Sequence, residues 1–461
     1  MTASPTNLPA MTNLRADWAH RPTHRRVWAL AAPMIVSNVT VPLVTLTDST
    51  VAGHLSHASQ LAAVAVGGAI YQLPVFLCGF LRMGTVGFSA QASGREDGDD
   101  LRRILLQTLL LSLALSSLLL LAAAPLLSPV LRLMDPSADL RGLGAAYLHV
   151  RLAGLPAALA SYALAGWFLG AQNARVTVQI LIVTNLVNIG LNLLFVLGFG
   201  WGVRGIALAS VIGEWSGCLL GLTRIAGQLR RFPGHLHLDE LRRWTCWRPL
   251  LGVNRDILLR SIALEGVFFA MTTLGARLGG SVVAANALLL NGLMLTAFAL
   301  DGLANAVESV TGHAIGARQR DTLRRALVVA GGWSLIGSLL FVAVFALGGH
   351  LFVDLQTDIA AVRTIAYAYL PYLAVLPLIA FPGYLLDGLF VGATRATEMR
   401  NAMLVAALVF LAAATLLHPL GNHGLWIAFL AFMLVRGGVM AWVARRIART
   451  ADGWLTRPVR A

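Results

Sequence analysis

The sequence contains no lysine, and charged residues of every kind fill only 12% of its 461 positions. Without lysine the chain can form neither a Walker A phosphate loop nor a pyridoxal Schiff base, so any transport would be driven by a gradient or by another chain. The three cysteines, Cys78, Cys218 and Cys246, include no CxxC pair, which argues against a disulfide framework or a zinc site. No HExxH, GxSxG or paired metal-ligand pattern lies near an apolar run. We therefore predict that the protein is not an enzyme and uses no cofactor or metal.

The remaining composition is that of an integral membrane protein. Hydrophobic residues make up 57% of the chain, and the charged fraction is about half of the roughly 25% found in soluble domains. A bilayer core about 30 Å thick is crossed by roughly 20 apolar residues in a helix. The apolar runs predict twelve such spans, at about 28–53, 61–81, 104–127, 143–170, 176–200, 205–223, 257–276, 282–312, 326–353, 364–394, 401–420 and 424–444.

Arginine supplies all 35 basic residues, and most of them lie in the two tails and the even-numbered loops. Because positive charge gathers on the cytoplasmic side of membrane proteins, this pattern predicts that both termini are cytoplasmic. The predicted order is an N-terminal tail (1–27), an N-lobe (28–223), a cytoplasmic linker (224–256), a C-lobe (257–444) and a C-terminal tail (445–461). Topology alone then explains the net charge of +14, and no nucleic-acid partner is expected.

The two halves of the sequence resemble each other at one constant offset, which is the distance along the chain from Gly94 to Gly316. The same offset joins Asp99 to Asp321, Gly166 to Gly388, Phe168 to Phe390, and Gly170 to Gly392. Six helices are an even number, so both copies enter the membrane in the same direction. The repeat therefore predicts an all-α membrane protein of two six-helix bundles, related by a pseudo-two-fold axis along the membrane normal, with a binding region between them.

Asp48 is the intramembrane charge for which we predict a functional role. Its span also holds Pro33 and Pro42, and each proline removes a backbone hydrogen bond and allows the helix to bend. No arginine lies within one helical turn of Asp48. Desolvation favours the protonated form of a buried, unpaired carboxylate, and this is the property that a proton carrier requires.

Other polar residues in the spans permit a structural interpretation. Charges inside a membrane tend to pair or to reach the interface, and pairing is expected for most of Glu214, Glu265, Asp301, Glu308, Asp387, Arg82, Arg151, Arg260 and Arg436. Asn188 and Asn192 are four residues apart and share a helical face. Their amides suit hydrogen bonding between helices or a functional site equally well, and the spacing does not choose between the two.

Several motifs, in order along nearly the whole chain, resemble the multidrug and toxic compound extrusion (MATE) family and, within it, the DinF branch. Pro33 and Asp48, with the motif Val51-Ala52-Gly53-His54-Leu55, resemble the first helix of that family. The fifth-helix signature is matched by Asn188-Ile189-Gly190-Leu191-Asn192, and the entry to the sixth helix by Gly202-Val203-Arg204-Gly205-Ile206-Ala207. The tenth-to-eleventh-helix segment of the DinF branch is matched by Gly392-Ala393-Thr394-Arg395 and Met399-Arg400-Asn401-Ala402-Met403.

The resemblance implies a twelve-helix efflux antiporter of the bacterial cytoplasmic membrane with a cation site in its N-lobe. Carried over by position, Asp48 would carry the proton and Pro33 would bend its helix. The surrounding hydrogen-bond network would be formed by Asn188, Asn192, Ser210 and Tyr147. Many relatives have aspartate in place of Asn192, and threonine is common in place of Ser210. Since the second carboxylate is missing, the proton is expected as coupling ion in preference to sodium.

Spans one, two, seven and eight correspond under the repeat and are expected to line a central cleft. The candidate cleft residues are Tyr71, Gln72, Phe76, Asn291, Met294, Phe298, Asp301 and Asp387, and aromatic and methionine side chains there suit flat amphipathic cations. We predict a monomeric, proton-coupled antiporter that exports amphipathic or cationic compounds by alternating access, with membrane lipids as further partners. The alternative is a flippase for a lipid or lipid-linked saccharide. A flippase would need inward-facing arginines for lipid phosphates, with Arg151, Arg260 and Arg436 as the candidates.

Overall fold

The computed structural model describes residues 14–53, 58–133, 138–450 and 453–455, without the side chains of 39–53, 58, 128, 131–133, 138 and 139. The described chain is almost entirely helical. Its helices are α1 (Leu14–Trp18), α2 (Arg21–Gly53), α3 (Ala58–Leu77), α4 (Phe80–Gly94), α5 (Gly98–Leu133), α6 (Ala138–Leu152), α7 (Leu155–Gly170), α8 (Ala174–Asn192), α9 (Gly202–Leu229), α10 (Leu238–Leu241), α11 (Trp244–Leu278), α12 (Gly280–Gly316), α13 (Arg320–Asp354), α14 (Ala360–Gly392), α15 (Ala396–Leu416) and α16 (Asn422–Ala448). A π-helical segment (Leu193–Gly198) follows α8, and two short 3₁₀ turns are His418–Leu420 and Gly453–Leu455.

These helices follow the order of the twelve predicted spans. Within the described residues, ten segments are long and apolar enough to cross a membrane, and α6 with α7 forms an eleventh that is bent by 46°. The bend falls just before Pro156 at the start of α7, where the missing N–H interrupts the helical hydrogen bonds. The first predicted span lies in α2, a continuous helix of 33 residues. The chain is a multi-pass membrane protein.

The helices extend further beyond the apolar runs than the sequence predicts. The predicted linker covers 224–256, but α9 continues to Leu229 and α11 begins at Trp244. The segment between these two helices is therefore only 230–243, which includes the short α10. Hydropathy indicates which residues lie inside the membrane. A helix can continue beyond the membrane through polar residues, because its backbone hydrogen bonds do not depend on hydropathy. Hydropathy therefore does not predict where a helix ends.

The backbone repeats itself at the offset found in the sequence. Helix α4 ends at Gly94 and α12 at its equivalent Gly316, and the first residues of α5 and α13 are separated by the same offset. The connections match as well, because Glu96 and Arg318 have φ values of 56° and 55°. Left-handed backbone is uncommon for residues other than glycine, so its recurrence at equivalent positions shows that the two lobes share one chain path.

Each lobe contains the same close approach of two helices. A Cβ atom on Gly166 of α7 would lie 2.4 Å from the carbonyl oxygen of Arg82 on α4. The equivalent Gly388 of α14 would place a Cβ atom 2.5 Å from the carbonyl oxygen of Ala304 on α12. Glycine permits backbone-to-backbone packing of membrane helices, so the two lobes use a glycine at the same close approach.

Both described ends of the chain lie on one side of the bundle, which we call the terminal face; the ends of α4, α12 and α14 and the starts of α5 and α13 form it. At the N-terminal end, Asp17 of α1 is buried and contacts Arg324 near the start of α13 at 2.9 Å. At the C-terminal end, the Trp454 ring lies 5.4 Å from that of Phe390 near the end of α14. The segment between the lobes reaches this face too, since Arg102 of α5 donates to the carbonyl oxygen of Phe232 at 2.9 Å.

Candidate functional site

The two lobes are joined by hydrogen bonds at the terminal face. Gln172, directly after α7, donates to Ser309 of α12 at 2.6 Å and receives a hydrogen bond from Arg26 of α2 at 3.1 Å. Gln91 of α4 donates to the carbonyl oxygen of Gly392, where α14 ends, at 3.0 Å. Each contact joins residues more than 130 positions apart. The interface between the lobes is therefore closed on this face.

A charged contact lies deeper in the same interface. Arg82 of α4 donates to Asn305 of α12 at 2.8 Å and contacts the carboxylate of Glu308 at 3.4 Å. Glu308 is buried, and Asp301 of the same helix lies within electrostatic reach of Arg82. An arginine of the N-lobe thus neutralises a carboxylate of the C-lobe in the middle of the protein.

The N-lobe brings three of the predicted coupling residues together. Asn192 donates to the side-chain oxygen of Asn188 at 3.5 Å, and Asn188 donates to the Ser210 hydroxyl at 2.9 Å. The Ser210 hydroxyl in turn donates to the carbonyl oxygen of Ile206 at 3.2 Å. All three side chains are buried. They form a chain of neutral donors and acceptors from α8 to α9, which we call the amide relay.

The other predicted coupling residues surround the amide relay less directly. The side chain of Asp48 lies outside the described residues, but its backbone belongs to α2, which packs along α8. Pro33 lies in the same helix, which is unbroken there. Tyr147 of α6 is buried with its ring against Gly67 of α3, since a Cβ atom at Gly67 would lie 2.5 Å from that ring.

The N-lobe also contains a paired charge between its fourth and sixth spans. Arg151 of α6 contacts Glu214 of α9 at 2.8 Å, and the hydroxyl of Tyr71 on α3 donates to the same carboxylate at 3.2 Å. The Arg151 guanidinium lies 3.9 Å from the centre of the Tyr71 ring. Tyr71, predicted to line the central cleft, instead faces this ion pair because its hydroxyl and ring each have a partner inside the N-lobe.

The C-lobe has a corresponding cluster with the charges reversed. Arg260 of α11 and Arg436 of α16 both donate to one oxygen of Asp387 on α14. The Arg436 guanidinium lies 5.3 Å from the centre of the Tyr384 ring. Arg260, Arg436 and Asp387 are all buried, so Asp387, another predicted cleft residue, is occupied by two arginines. Asp301 lies within electrostatic reach of both cations and supplies the second negative charge.

The remaining cleft candidates have accessible side chains. Phe76 is 46% exposed and Met294 is 40% exposed. Gln72 and Asn291 are also exposed, while Phe298 is half-buried. Asn291 donates to Gln356, which follows α13, at 3.0 Å. Met294 and Asn291 border a cavity between α11 and α12, whereas Phe76 lies on α3 of the other lobe.

The sequence predicts that most intramembrane charges pair, and the ion pairs of Arg82, Arg151, Arg260 and Arg436 confirm this prediction. It does not identify the partners or the hydrogen bonds of Gln91 and Gln172 across the lobes. Each of these contacts joins different helices, so no spacing along one helix marks it.

The fold, with two repeated lobes, a closed terminal face and buried polar groups in each lobe, is typical of a membrane transporter built from an internal repeat. The MatE family model matches the chain twice, over residues 33–194 and 257–417, and thus once in each lobe. The chain therefore belongs to the MATE family and is a transporter rather than an enzyme.

Individual relatives agree with this assignment. The chain is 42% identical to DNA damage-inducible protein F of Escherichia coli (strain K12) over 424 residues, covering 92% of each protein. It is 27% identical to the probable multidrug resistance protein NorM of Rhizobium meliloti (strain 1021) over 437 residues, covering 91% of this chain and 90% of that protein. The structure titled "Crystal structure of MATE in the bent conformation" shares its fold, with a TM-score of 0.84 and 22% identity over 96% of this chain and 98% of that one.

Proposed function

We propose that this transporter exports amphipathic, cationic compounds from the cytoplasm in exchange for protons, with Asp48 as the proton carrier. The observation that carries the proposal is the amide relay. Asn192, Asn188 and Ser210 offer oriented neutral groups on the helices beside α2. A sodium ion needs several oxygen ligands and gains from negative charge. The described carboxylate of this region, Glu214, is already paired with Arg151, so the relay favours a proton.

The relay also suggests how protonation changes conformation. An amide offers both a donor and an acceptor, so a chain of amides can re-pair when a neighbouring carboxylate gains or loses its proton. Pro33 leaves a carbonyl in α2 without its helical partner, and this is where the helix would bend. Because Asn38 of α2 donates to the carbonyl oxygen of Phe298 on α12 at 3.0 Å, a bend in α2 would move a contact between the lobes.

The direction of export rests on two features. The arginine-rich terminal face is the expected cytoplasmic side, and the contacts of Gln91 and Gln172 close that face. On this proposal, the closed terminal face corresponds to a state with access from the outside. The relatives named multidrug resistance proteins support a substrate class of small toxic compounds.

The flippase alternative is not favoured. Lipid phosphates would need free inward-facing arginines, and the three candidates are engaged by carboxylates. Arg151 pairs with Glu214, while Arg260 and Arg436 share Asp387. Each of these arginines pairs with a carboxylate of its own lobe.

Efflux from proteoliposomes with separately imposed gradients tests the proposal. Purified protein should move ethidium when only a pH gradient is present and should ignore a sodium gradient of equal size. Asp48→Asn should abolish pH-driven transport, while Asp321→Asn, at an exposed carboxylate of the terminal face, should transport like the unaltered protein. Transport that requires sodium, or normal rates for Asp48→Asn, would refute proton coupling through Asp48.

A further inference from the structure

The two lobes come together at one level of the bundle and separate beyond it. Ser59–Gly94 is one long span made of α3 and α4. Its α4 half packs along α12 of the C-lobe, whereas among the described residues its α3 half has no comparable packing with α12. Exposure changes at the same point, because Phe76 of α3 is 46% exposed and no residue in 77–94 is exposed. The lobes are therefore in contact from α4 to the terminal face and diverge on the other side, where the central cleft is expected.

Arg82 lies in the first turn of α4 and crosses to the C-lobe at this level. Its guanidinium donates to Asn305 of α12 at 2.8 Å and contacts the Glu308 carboxylate at 3.4 Å. The Glu308 side chain is 4% exposed, and that of Arg82 is 26% exposed. Among the described residues, this is the only ion pair between a helix in α2–α9 and a helix in α11–α16. One contact of opposite charges therefore joins the lobes where they begin to diverge.

The interface between Arg82 and the terminal face contains polar groups that its closed arrangement leaves without partners. Asn254 of α11 is buried against Gly84 of α4, since a Cβ atom there would lie 1.9 Å from the Asn254 side-chain oxygen. Among the described residues neither end of that amide has a hydrogen-bond partner, and the same holds for the buried hydroxyls of Ser89 and Thr311. Such groups cost free energy while they are buried and unpaired. Water would reach them if α4 and α12 parted, so they favour opening of the terminal face.

The ion pair acts in the opposite direction. The attraction between two unit charges is stronger at a buried level than in water, where the solvent screens both charges. Loss of one partner is not equivalent to loss of the other. Without Arg82, the closed arrangement would hold the Glu308 carboxylate buried and unpaired, which is strongly unfavourable. Without Glu308, Arg82 would keep its hydrogen bond to Asn305 and its partial exposure.

We propose that Arg82, Asn305 and Glu308 form a latch that holds the terminal face closed while the cleft is open to the other side. Arg82 is the positioning residue of this latch, because its side chain makes the contact across the lobes. The proposal rests on the export function proposed above and adds the contact that sets how often the cytoplasmic side opens. Asp48 remains the proton carrier, and the latch acts only on the position of the lobes.

Cysteine labelling of the purified full-length protein tests the latch without substrate or an ion gradient. Ser93→Cys is the reporter, since Ser93 of α4 is buried and faces His313 of α12 at 3.4 Å, and N-ethylmaleimide should reach it when the lobes part. Mass spectrometry of proteolytic fragments measures modification at this position alone, so the natural cysteines stay in place. Arg82→Gln should raise the labelling rate by about tenfold or more. Arg175→Gln, at an exposed arginine at the start of α8, is the matched control and should leave the rate unchanged.

Two further variants separate a latch from a purely structural contact. The double variant Arg82→Gln/Glu308→Gln removes both charges, so its reporter should react much closer to the unaltered rate than in Arg82→Gln alone. A second reporter, Met294→Cys, lies on the accessible half of α12, where Met294 is 40% exposed. Its labelling rate should stay the same or fall in Arg82→Gln, because alternating access closes one side as the other opens. A protein that is merely loosened would label faster at both reporters.

The latch is overturned by any one of the following results. The Ser93→Cys reporter reacts at the unaltered rate in Arg82→Gln, both reporters react faster in that variant, or the double variant reacts as fast as Arg82→Gln.

These results are separable from the test of proton coupling. Labelling reports the position of the lobes without any gradient, so a sodium-driven transporter could have the same latch. Conversely, a protein whose efflux follows the pH gradient but whose labelling is unchanged by Arg82→Gln would retain the proposed function and lose the latch.

Discussion

The two lobes share a backbone, but they place different chemistry at equivalent positions. Asn188 of the amide relay corresponds, at the offset of the repeat, to Phe410. Phe410 is fully buried and packs edge-on against the buried Phe432 of α16, with ring centres 6.4 Å apart. The C-lobe thus has packed aromatic core where the N-lobe has a buried polar chain. Because an apolar core suits this backbone in the C-lobe, the shared fold does not require the buried polar chain of the N-lobe.

Both lobes have an ion pair that joins their fourth and sixth spans. In the N-lobe Arg151 of α6 pairs with Glu214 of α9, and Tyr71 of α3 contacts both groups. In the C-lobe Asp387 of α14 pairs with Arg436 of α16 beside Tyr384, and Arg260 of α11 is added. These residues are not at equivalent positions of the repeat, so the lobes share the pairing of two helices and not the residues that make it.

The largest effect is expected when the C-lobe cluster loses its carboxylate. Asp387→Asn removes the carboxylate that two buried guanidinium groups contact, leaves them only the more distant Asp301, and should destabilise the protein by about 3–5 kcal/mol. Glu214→Gln strands only Arg151, which keeps its stacking on Tyr71, and should cost less. Unfolding of both variants in detergent measures the difference. Equal losses of stability in the two variants would show that the second arginine of the C-lobe does not increase the cost of removing the carboxylate.

Exchange of a C-lobe residue for its N-lobe equivalent should have the next largest effect. Phe410→Asn puts the residue type of position 188 into the aromatic core and should cost about 3 kcal/mol, because it leaves a cavity and an unpaired amide. The ion dependence of transport should stay unchanged in protein that remains folded. A stable Phe410→Asn variant, or one with altered coupling, would contradict the division between a packing lobe and a coupling lobe.

The glycine contacts should respond equally in the two lobes. Gly166→Ala and Gly388→Ala each force a methyl group to within 2.4 and 2.5 Å of a backbone oxygen on the neighbouring helix. Both should lose about 1–3 kcal/mol through overpacking, and Gly142→Ala, which meets nothing within 4 Å, serves as control. Thermal unfolding midpoints compare the three. A large difference between Gly166→Ala and Gly388→Ala would limit the structural equivalence of the repeat.

The smallest change in stability is expected in the amide relay, together with a large change in coupling. Ser210→Ala removes the acceptor of Asn188 and should cost only about 1 kcal/mol, yet it should uncouple transport from the pH gradient. Ser210→Thr keeps the hydroxyl and should retain coupling. Efflux rates under a pH gradient, measured beside unfolding midpoints, separate the two effects. Normal coupling in Ser210→Ala would remove the relay from the mechanism.

Much of the architecture could be predicted from the sequence because it depends on patterns of neighbouring residues. The spans follow from apolar runs, and the repeat follows from glycines and charged motifs at one offset. The partners of the charges could not be predicted, since Arg82 and Glu308 or Arg260 and Asp387 are more than 120 residues apart. The contacts of Tyr71 could not be predicted either. Its position on the helix does not reveal whether the side chain faces the central cleft or the ion pair of Arg151 and Glu214.

For the candidate site, too, the sequence could identify residues but not their contacts. Asn188, Asn192 and Ser210 could be chosen by resemblance and spacing, and the structure connects them by hydrogen bonds. Their hydrogen-bond order, from Asn192 through Asn188 to Ser210, is a three-dimensional property that no spacing along one helix expresses.

Proton release on substrate binding tests the central claim most directly. Purified protein in weakly buffered, sodium-free detergent solution is mixed with ethidium, and a pH-sensitive dye reports the protons released per molecule bound. If substrate and proton compete through Asp48, the unaltered protein should release about one proton, and Asp48→Asn should bind ethidium and release none. Equal release from both proteins, or no release from either, would contradict proton coupling at Asp48.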